Sequence, residues 1–228
     1  MVSQYERDRS AHNSALCAVP CCMALCSVQN RYLWKRYMHE RKLLHEATAG
    51  RGVNQRWLWH GTACIDPYTI CTGLDGFDCR MVSNTCTWAL ASAGVLRKCV
   101  LCDWQAYCGF FGRGTYFAER ALYSHTSYSH RTAQGTHQLI LARVLCGNSK
   151  DMGLCRDRKL VKPPHGYNSV RGGPHTTRTT DPPASASICW AVYDRAQSYP
   201  AYVVTYKTRA TALPRPRFSN GARGALLP

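Results

Sequence analysis

Strand-like segments outnumber helix-like segments along this chain, and the two kinds do not alternate regularly. Apolar and aromatic runs typical of strands lie at Arg56 to Thr62, Gln138 to Cys146, Ile188–Tyr193 and Tyr202–Lys207. A doubly wound parallel sheet requires a helix between successive strands, and this order of segments does not provide one. The sequence therefore predicts an α+β fold.

Helical segments fill the spaces between some of these strands. A helical pattern of apolar residues begins after Asn30, which is a suitable N-cap, and stops at Gly50 and Gly52. The segment Pro67 to Cys71 predicts a second, short helix. From Gly109, the run GFFGRGTYFAERALYS predicts a Gly-rich turn, a short strand and a third helix.

Composition divides the chain into three parts. Residues 1–27 show no clear periodicity, residues 28–207 form the expected domain, and residues 208–228, with several Pro, Gly and Ala, predict a disordered tail. Within the domain, residues 83–105 look like an insertion, which is either a genuine loop or an intron translated in error. Residues 148–187 form a polar stretch rich in Pro and Gly, to which no strand or helix is assigned.

The overall composition argues against a membrane-spanning helix and leaves the partner open. The chain has 228 residues, 45% of them hydrophobic, with 6 Trp and 13 Tyr, which is enough for one domain with a sizeable core. It has no uncharged apolar run long enough to cross a bilayer. The formal net charge of +16 favours polyanions, but no run of Lys and Arg marks a nucleic-acid site.

The 14 cysteines raise the question of a disulfide scaffold or a metal site. Their scatter through apolar segments, such as Leu141 to Gly147, favours buried, reduced thiols. One C-x-x-C pair, Cys99 and Cys102, is flanked by Cys86 and Cys108, but structural zinc sites usually show two close pairs. We therefore expect no metal and, since the N-terminus makes a poor signal peptide, a nuclear or cytoplasmic protein.

The strand at Arg56 to Thr62 ends in residues suited to binding a ligand. His60 leaves the strand beside Gly61 and can direct a hydrogen bond into a cleft. The exposed backbone of Gly61 can pair with an amide, and Thr62 follows it directly. Taken alone, a histidine in this place is more often a satisfied structural residue.

A second group of residues follows the Gly-rich turn. Tyr116 lies in the short strand, and Ser124 and Tyr128 lie in the helix after it. Two tyrosines near a serine can sandwich a flat aromatic ring while the hydroxyl hydrogen-bonds to its edge. By itself, such a segment more often forms part of a core.

The order of these segments resembles the catalytic domain of the poly(ADP-ribose) polymerase family, the diphtheria-toxin-like ADP-ribosyltransferases. The similarity runs from about Val28 to Lys207 and includes GRGTYFA, LARVLCG, the YNSV at Tyr167–Val170 and the YDRAQSYP from Tyr193. Each motif is short, but all of them in one order are highly specific. The resemblance implies split antiparallel β-sheets around an NAD cleft with flanking helices. It also implies NAD as co-substrate and proteins, this chain included, as acceptors.

The resemblance further implies a role for each candidate residue. His60 would hold the ribose on the adenine side of NAD, while Gly61 and Ser124 would hold the nicotinamide carboxamide. Tyr116 and Tyr128 would stack on the two faces of the nicotinamide ring. The expected cofactor-binding set is His60, Gly61, Thr62, Arg80, Tyr116, Ser124 and Tyr128, with Arg80 toward the adenine end.

The chain departs from polymer-making members of the family at one catalytic position. Those members carry a glutamate that stabilises the transition state and activates a ribose hydroxyl for elongation. Counting back 8 residues from Gln197 gives Cys189, and the surrounding SASICWAV contains no carboxylate. A neutral thiol performs such work poorly. With His60 and Tyr116, Cys189 therefore marks a transferase for single ADP-ribose units, or alternatively an inactive module that binds NAD, ADP-ribose or partners.

Overall fold

A computed structural model describes residues 22–48, 52–78, 109–178, 181 and 183–208 of the chain. Its helices are α1 (Arg31–Ala47), α2 (Pro67–Thr72) and α3 (Ala121–Tyr128), and short 3-10 turns lie at Pro183–Ser185 and Arg195–Gln197. The strands are β1 (Cys22–Ser27), β2 (Gln55–His60), β3 (Thr115–Ala118), β4 (His130–Arg131), β5 (His137–Leu145), β6 (Ser149–Asp151), β7 (Ser169–His175), β8 (Ser187–Val192) and β9 (Ser198–Tyr206). In this part of the chain, no helix is both long enough and apolar enough to span a membrane.

The strands form a sheet in the order β1-β9-β5-β2-β3-β8-β7-β6, and β4 pairs with β5. The pairs are antiparallel except for β6 with β7. Between β2 and β3, the register contains the single residue pair Trp59 and Ala118. We call β1-β9-β5-β2 the first half-sheet and β3-β8-β7-β6 the second half-sheet. This division confirms the expected α+β fold and agrees with split antiparallel sheets.

Helix α1 begins where its capping residue predicts. The side chain of Asn30 accepts hydrogen bonds from the backbone N–H groups of Tyr32 and Leu33, each at 3.1 Å. The helix buries Leu33, Tyr37 and Leu44, which pack with Leu145 and Tyr199 of the first half-sheet. The apolar face predicted by the spacing is therefore the face that covers this half-sheet.

The strongly apolar segments form the strands that the sequence predicts. β5 lies at the centre of the first half-sheet, between β9 and β2. β9 begins at Ser198, earlier than the predicted Tyr202, and includes Pro200. The register shifts there, since Leu141 pairs with Tyr202 while Ala142 pairs with Pro200. The bulge at Ala201 accommodates a proline, which has no N–H to donate to the ladder.

Residues 148–187, to which the sequence assigned no strand, contain both β6 and β7. The sequence of β7 is SVRGGPH, and its Gly172, Gly173 and Pro174 obscure the strand pattern. The register with β8 shifts between Gly172 and His175. A bulge therefore contains the residues that argued against a strand.

The prediction that residues 1–27 are irregular was also wrong at its end, because Cys22–Ser27 forms β1 and pairs with β9. All six residues of β1 are exposed, so no alternation of buried and exposed positions could have marked the strand. Pairing with the edge of β9 decides its conformation. Hydrophobic spacing within a single segment cannot show such an edge.

The described cysteines follow the expectation only in part. Cys71, Cys146 and Cys189 are buried and free, as expected, whereas Cys22, Cys26 and Cys155 are exposed and free and Cys64 is disulfide-bonded. The expected insertion at 83–105 and the thiol set Cys86, Cys99, Cys102 and Cys108 lie outside the described residues. So does the expected tail from residue 209 onward.

Side chains bridge the narrow joint between the two half-sheets. Glu119, which follows β3, accepts a hydrogen bond from Nε1 of Trp190 on β8 at 3.0 Å. The guanidinium of Arg56 on β2 lies 3.4 Å from the same carboxylate and 4.6 Å from the centroid of the Trp190 ring. The joint therefore gains an ion pair and a cation–π contact where the backbone ladder is shortest.

Candidate active site

His60 ends β2 at the joint, and its environment sets its tautomer. Nδ1 lies 2.8 Å from the backbone carbonyl oxygen of Tyr116, and the ring contacts Phe77 and Phe117 with centroids 5.0 and 5.4 Å away. Because a carbonyl can only accept, Nδ1 carries the proton. Burial lowers the pKa of His60, so the ring is neutral at pH 7. Nε2 is then a hydrogen-bond acceptor suited to a ligand hydroxyl.

Tyr116 is held by the Gly-rich turn that precedes it. Its hydroxyl accepts from the backbone N–H of Phe111 at 2.7 Å and donates to the carbonyl of Gly112 at 2.9 Å. Its ring stacks on Phe111 with centroids 6.2 Å apart. A Cβ at Gly109 would lie 2.4 Å from Cζ of Tyr116, so only glycine allows this approach. The turn and the tyrosine therefore fix one another.

Gly61 and Tyr128 are brought into direct contact. A Cβ at Gly61 would lie 2.4 Å from the carbonyl oxygen of Tyr128 and 2.5 Å from its Cβ. The backbone N–H of Ala63 donates to the same carbonyl at 2.7 Å. The end of α3 therefore lies against the turn after β2, and the absence of a side chain at Gly61 is what permits it.

Ser124 and Thr62 have different surroundings. Ser124 is buried on α3, and its hydroxyl donates weakly to the carbonyl of Trp59 at 3.4 Å. Thr62 donates its hydroxyl to the carbonyl of Ile65 at 2.6 Å, which closes the turn before α2. The structure thus brings Ser124 to the strand that carries His60 and uses the Thr62 hydroxyl within a turn. Arg80 lies outside the described residues.

Cys189 occupies the middle of β8, where Ala118 of β3 and Gly172 of β7 flank it. It is 2% exposed, and burial raises the pKa of its thiol to about 11, so the side chain is a neutral thiol at pH 7. Tyr116 pairs with Ala191, which is two residues from Cys189 along β8. Because side chains two apart on a strand share a face, Tyr116 and Cys189 lie on the same face of the second half-sheet.

One buried residue beside this face escaped the sequence analysis. His175 of β7 is 5% exposed, and its ring lies 4.4 Å from that of Phe110 and 6.0 Å from that of Phe111. It belongs to the Gly- and Pro-rich stretch to which the sequence assigned no strand. The signal that places it is the register of β7 with β8, which is a tertiary feature.

Comparison with known proteins decides the family. Residues 6–210 match the family described as the poly(ADP-ribose) polymerase catalytic domain, which is most of the chain. This chain belongs to that family. The match confirms the resemblance and begins before Val28, where the sequence analysis placed the start of the domain. PARP catalytic domains use NAD as co-substrate, which confirms the predicted cofactor.

This PARP domain is similar over most of its length to three curated relatives. It is 30% identical over 187 residues to Protein mono-ADP-ribosyltransferase PARP12 of Homo sapiens and 27% identical over 187 residues to that of Mus musculus. Each alignment covers 79% of this chain and 21% of the relative. Identity to Protein mono-ADP-ribosyltransferase PARP14 of Homo sapiens is 27% over 186 residues, covering 79% of this chain and 8% of the relative. The chain therefore spans a small part of the proteins that it resembles.

The described residues of the PARP domain fit NAD in two respects. Gly61 packs against Tyr128, and the hydroxyl of Ser124 reaches the carbonyl of Trp59 on the same strand as His60, so backbone groups, a ring and a hydroxyl that can contact a flat ring carrying an amide lie together. The neutral His60 offers an acceptor at Nε2 to a ribose hydroxyl. Both groups lie at the joint between the half-sheets, which places the candidate cleft there.

Proposed function

We propose that this chain transfers single ADP-ribose units from NAD to side chains of acceptor proteins, itself included, and releases nicotinamide. Membership of the PARP catalytic family and relatives named mono-ADP-ribosyltransferases support the reaction class. The observation that supports single transfer is the buried, neutral thiol of Cys189. It stands where polymer-making members carry a glutamate.

We infer the roles of the site residues from the family resemblance, and the surroundings of His60, Gly61 and Ser124 support them. His60 accepts a hydrogen bond from the ribose on the adenine side of NAD. The backbone of Gly61 and the hydroxyl of Ser124 hold the nicotinamide carboxamide, and Tyr116 and Tyr128 flank the ring. These contacts hold NAD in the pose from which the bond between nicotinamide and ribose breaks, which is how such enzymes gain most of their rate.

Chain growth needs a group that activates a hydroxyl of the ribose already attached. A thiol that stays protonated at pH 7 does not act as that base. Glu119 is bound to Arg56 and Trp190. Because Trp190 is adjacent to Cys189 on β8, its side chain lies on the opposite face of the sheet. The carboxylate of Glu119 is therefore directed away from Tyr116, and transfer stops after one unit.

A labelling experiment tests the proposal. The purified chain is incubated with NAD labelled in its adenylate part, and the products are separated on a denaturing gel. We expect a single sharp increment of label on the chain, lost in His60→Ala and retained in the control His165→Ala, whose side chain is exposed. A ladder of products contradicts single transfer.

A second candidate is a non-catalytic module that binds NAD or ADP-ribose, and the neutral thiol of Cys189 favours it as well. Calorimetric titration with NAD separates the two candidates. Binding without any transfer of label supports the module, whereas binding with transfer supports the enzyme. Absence of both binding and transfer contradicts both.

We further propose that the protein acts in the nucleus, the cytoplasm or both. The buried, free thiols Cys71, Cys146 and Cys189 support a reducing compartment, whereas the disulfide-bonded Cys64 argues for an oxidising one. Imaging of a tagged chain tests this proposal, and accumulation in the secretory pathway contradicts it. Nucleic acid has no support beyond the net charge of +16.

A further inference from the structure

The buried imidazole of His175 lacks a hydrogen-bond partner for one of its nitrogens. Nε2 is inaccessible to solvent and finds no partner among the described residues. Leaving a buried polar group unpaired destabilises the folded protein. A buried polar group that lacks a partner in the free protein is a candidate for a functional role, since a bound ligand can supply the missing hydrogen bond.

Strand register places this imidazole beside the position of the missing glutamate. His175 pairs with Ser187, and Gly172 pairs with Cys189, on either side of the bulge in β7. Ser187 and Cys189 are two residues apart on β8, so their side chains share a face. Directly paired residues also share a face, which puts His175 on the side of the second half-sheet that carries Cys189 and Tyr116.

A row of aromatic rings connects His175 to Tyr116. The ring of Phe111 lies 6.0 Å from that of His175 and stacks on that of Tyr116 at 6.2 Å. Phe110 lies 4.4 Å from His175 on its other side, and the guanidinium of Arg156 covers Phe110 at 4.5 Å. The row therefore links His175 to Tyr116 through the ring of Phe111.

The charge state of His175 suits it to accept a proton. Burial and the nearby cation of Arg156 both lower the pKa of His175. The ring is therefore neutral at pH 7, and a neutral imidazole is an effective general base. Cys189 cannot serve in this way, since burial raises the pKa of its thiol to about 11.

We propose that His175 is the base that deprotonates the acceptor, and that the acceptor is a hydroxyl or thiol side chain. This inference rests on the proposed transferase function. The bond between nicotinamide and C1 of the ribose breaks, and nicotinamide leaves with the bonding electrons. The oxygen or sulfur of the acceptor forms a bond to that carbon, and its proton passes to Nε2 of His175, which the acceptor reaches only by displacing the rings around it. The imidazole releases the proton to solvent once the product leaves. An ionised carboxylate acceptor has no proton to lose and needs no such base.

Substitution of His175 tests its role. His175→Gln keeps a polar side chain that cannot accept a proton at this pH, and His175→Phe keeps a ring that fits among Phe110 and Phe111. We expect both variants to bind NAD as the wild type does, measured by thermal shift with NAD, and to transfer label about 10²- to 10⁴-fold more slowly. The control His165→Gln, at an exposed position, keeps the wild-type rate.

Two further measurements exclude a purely structural role for His175. The transfer rate of the wild type should fall as His175 becomes protonated at acid pH, and this limb of the profile should be missing in His175→Gln. Added imidazole should restore part of the rate of His175→Ala, because it replaces the missing base. Loss of NAD binding in every variant, or an unchanged acid limb in His175→Gln, overturns the role.

The chemical stability of the product tests the acceptor class. Esters of ADP-ribose with carboxylates are cleaved by neutral hydroxylamine, whereas linkages to hydroxyl and thiol side chains survive it. We expect the label to survive, and its release overturns the inference about the acceptor. If the wild type transfers no label, the proposed function itself fails. If the wild type and His175→Gln transfer equally, only the inference fails.

Discussion

The two half-sheets of this protein differ in the regularity of their strand pairing. The more regular one stabilises the fold, and the less regular one carries most of the candidate site residues. The first half-sheet contains β5 and β9, each of 9 residues, paired along nearly their whole length and covered by α1. The second contains the 4-residue β3, the 3-residue β6 and a β7 interrupted by Gly172, Gly173 and Pro174. Tyr116, Cys189 and His175 all lie on the irregular half. Regular pairing holds the fold, and irregular pairing positions reactive side chains.

The joint between the halves is where the first half-sheet contributes to the candidate site. His60 is the last residue of β2, and its hydrogen bond to Tyr116 crosses from one half to the other at 2.8 Å. With the single pair Trp59 and Ala118, the backbone alone makes few contacts there. The candidate site therefore lies where side chains, more than backbone pairing, join the two halves.

The largest difference between the halves should appear in stability. Ile140 of β5 is fully buried, and Ile140→Ala should lower the free energy of unfolding by about 2–5 kcal/mol because it leaves a cavity. Ile188→Ala on β8, a partly buried site, should cost less. Urea denaturation followed by tryptophan fluorescence measures both. Equal losses at the two positions would contradict the assignment of support to the first half-sheet.

The next effect concerns the contact between the turn after β2 and α3. Gly61→Ala places a Cβ 2.4 Å from the carbonyl oxygen of Tyr128, which should cost about 1–3 kcal/mol and weaken NAD binding. At Gly114, the nearest atoms to an added Cβ are 3.1 Å away, so Gly114→Ala should perturb stability less. Denaturation and calorimetric titration with NAD test both variants. Normal NAD binding by Gly61→Ala would show that this contact does not shape the cleft.

A more gradual effect should follow acidification. Burial lowers the pKa of His60, His125, His137 and His175. Above about pH 6.5 these rings are neutral in both states, and below it the unfolded chain binds protons that the folded protein does not. Stability should therefore fall as the pH drops below about 6.5. Urea midpoints between pH 8 and 5 measure it, and His125→Gln should flatten the slope. A midpoint that rises on acidification would contradict this sign.

The smallest effect should come from the side-chain bridge at the joint. Glu119→Gln keeps an acceptor for Trp190 but removes the ion pair with Arg56. The side chain of Arg56 is 41% exposed and that of Glu119 is 36% exposed. Such a pair is screened by solvent, so the loss should be about 0.2–1 kcal/mol and should shrink in high salt. Glu46→Gln breaks the more exposed pair with Lys42 on α1 and serves as the control. Equal effects of the two substitutions would mean that the bridge adds nothing to the joint.

Patterns within a segment predicted the elements that bury their own apolar residues. The Asn30 cap and the spacing of Leu33, Tyr37 and Leu44 located α1, and the apolar run of β5 located the central strand. β1 and β7 escaped prediction for opposite reasons. β1 is exposed along its whole length, and β7 contains residues that usually interrupt strands. In both, pairing with a neighbouring strand overrides the local preference.

The same limit applies to the candidate site. His60, Gly61, Tyr116 and Ser124 were found because each lies in a short motif of a known family, and Cys189 was found by counting from Gln197. His175 has no motif around it. It reaches the site because a bulge in β7 turns it onto the face that carries Cys189.

The amino-acid sequence by itself determined the family, the use of NAD and the thiol at the position of the glutamate, because these depend on which residues occur in which order. The tertiary structure alone decided that the sheet narrows to one residue pair at Trp59 and Ala118, that Nδ1 of His60 is committed to Tyr116, and that a buried imidazole stands beside Cys189. These features depend on contacts between segments far apart in the chain. Local propensity and spacing do not specify such contacts, since the free energy that selects them comes from burial and pairing in the assembled sheet.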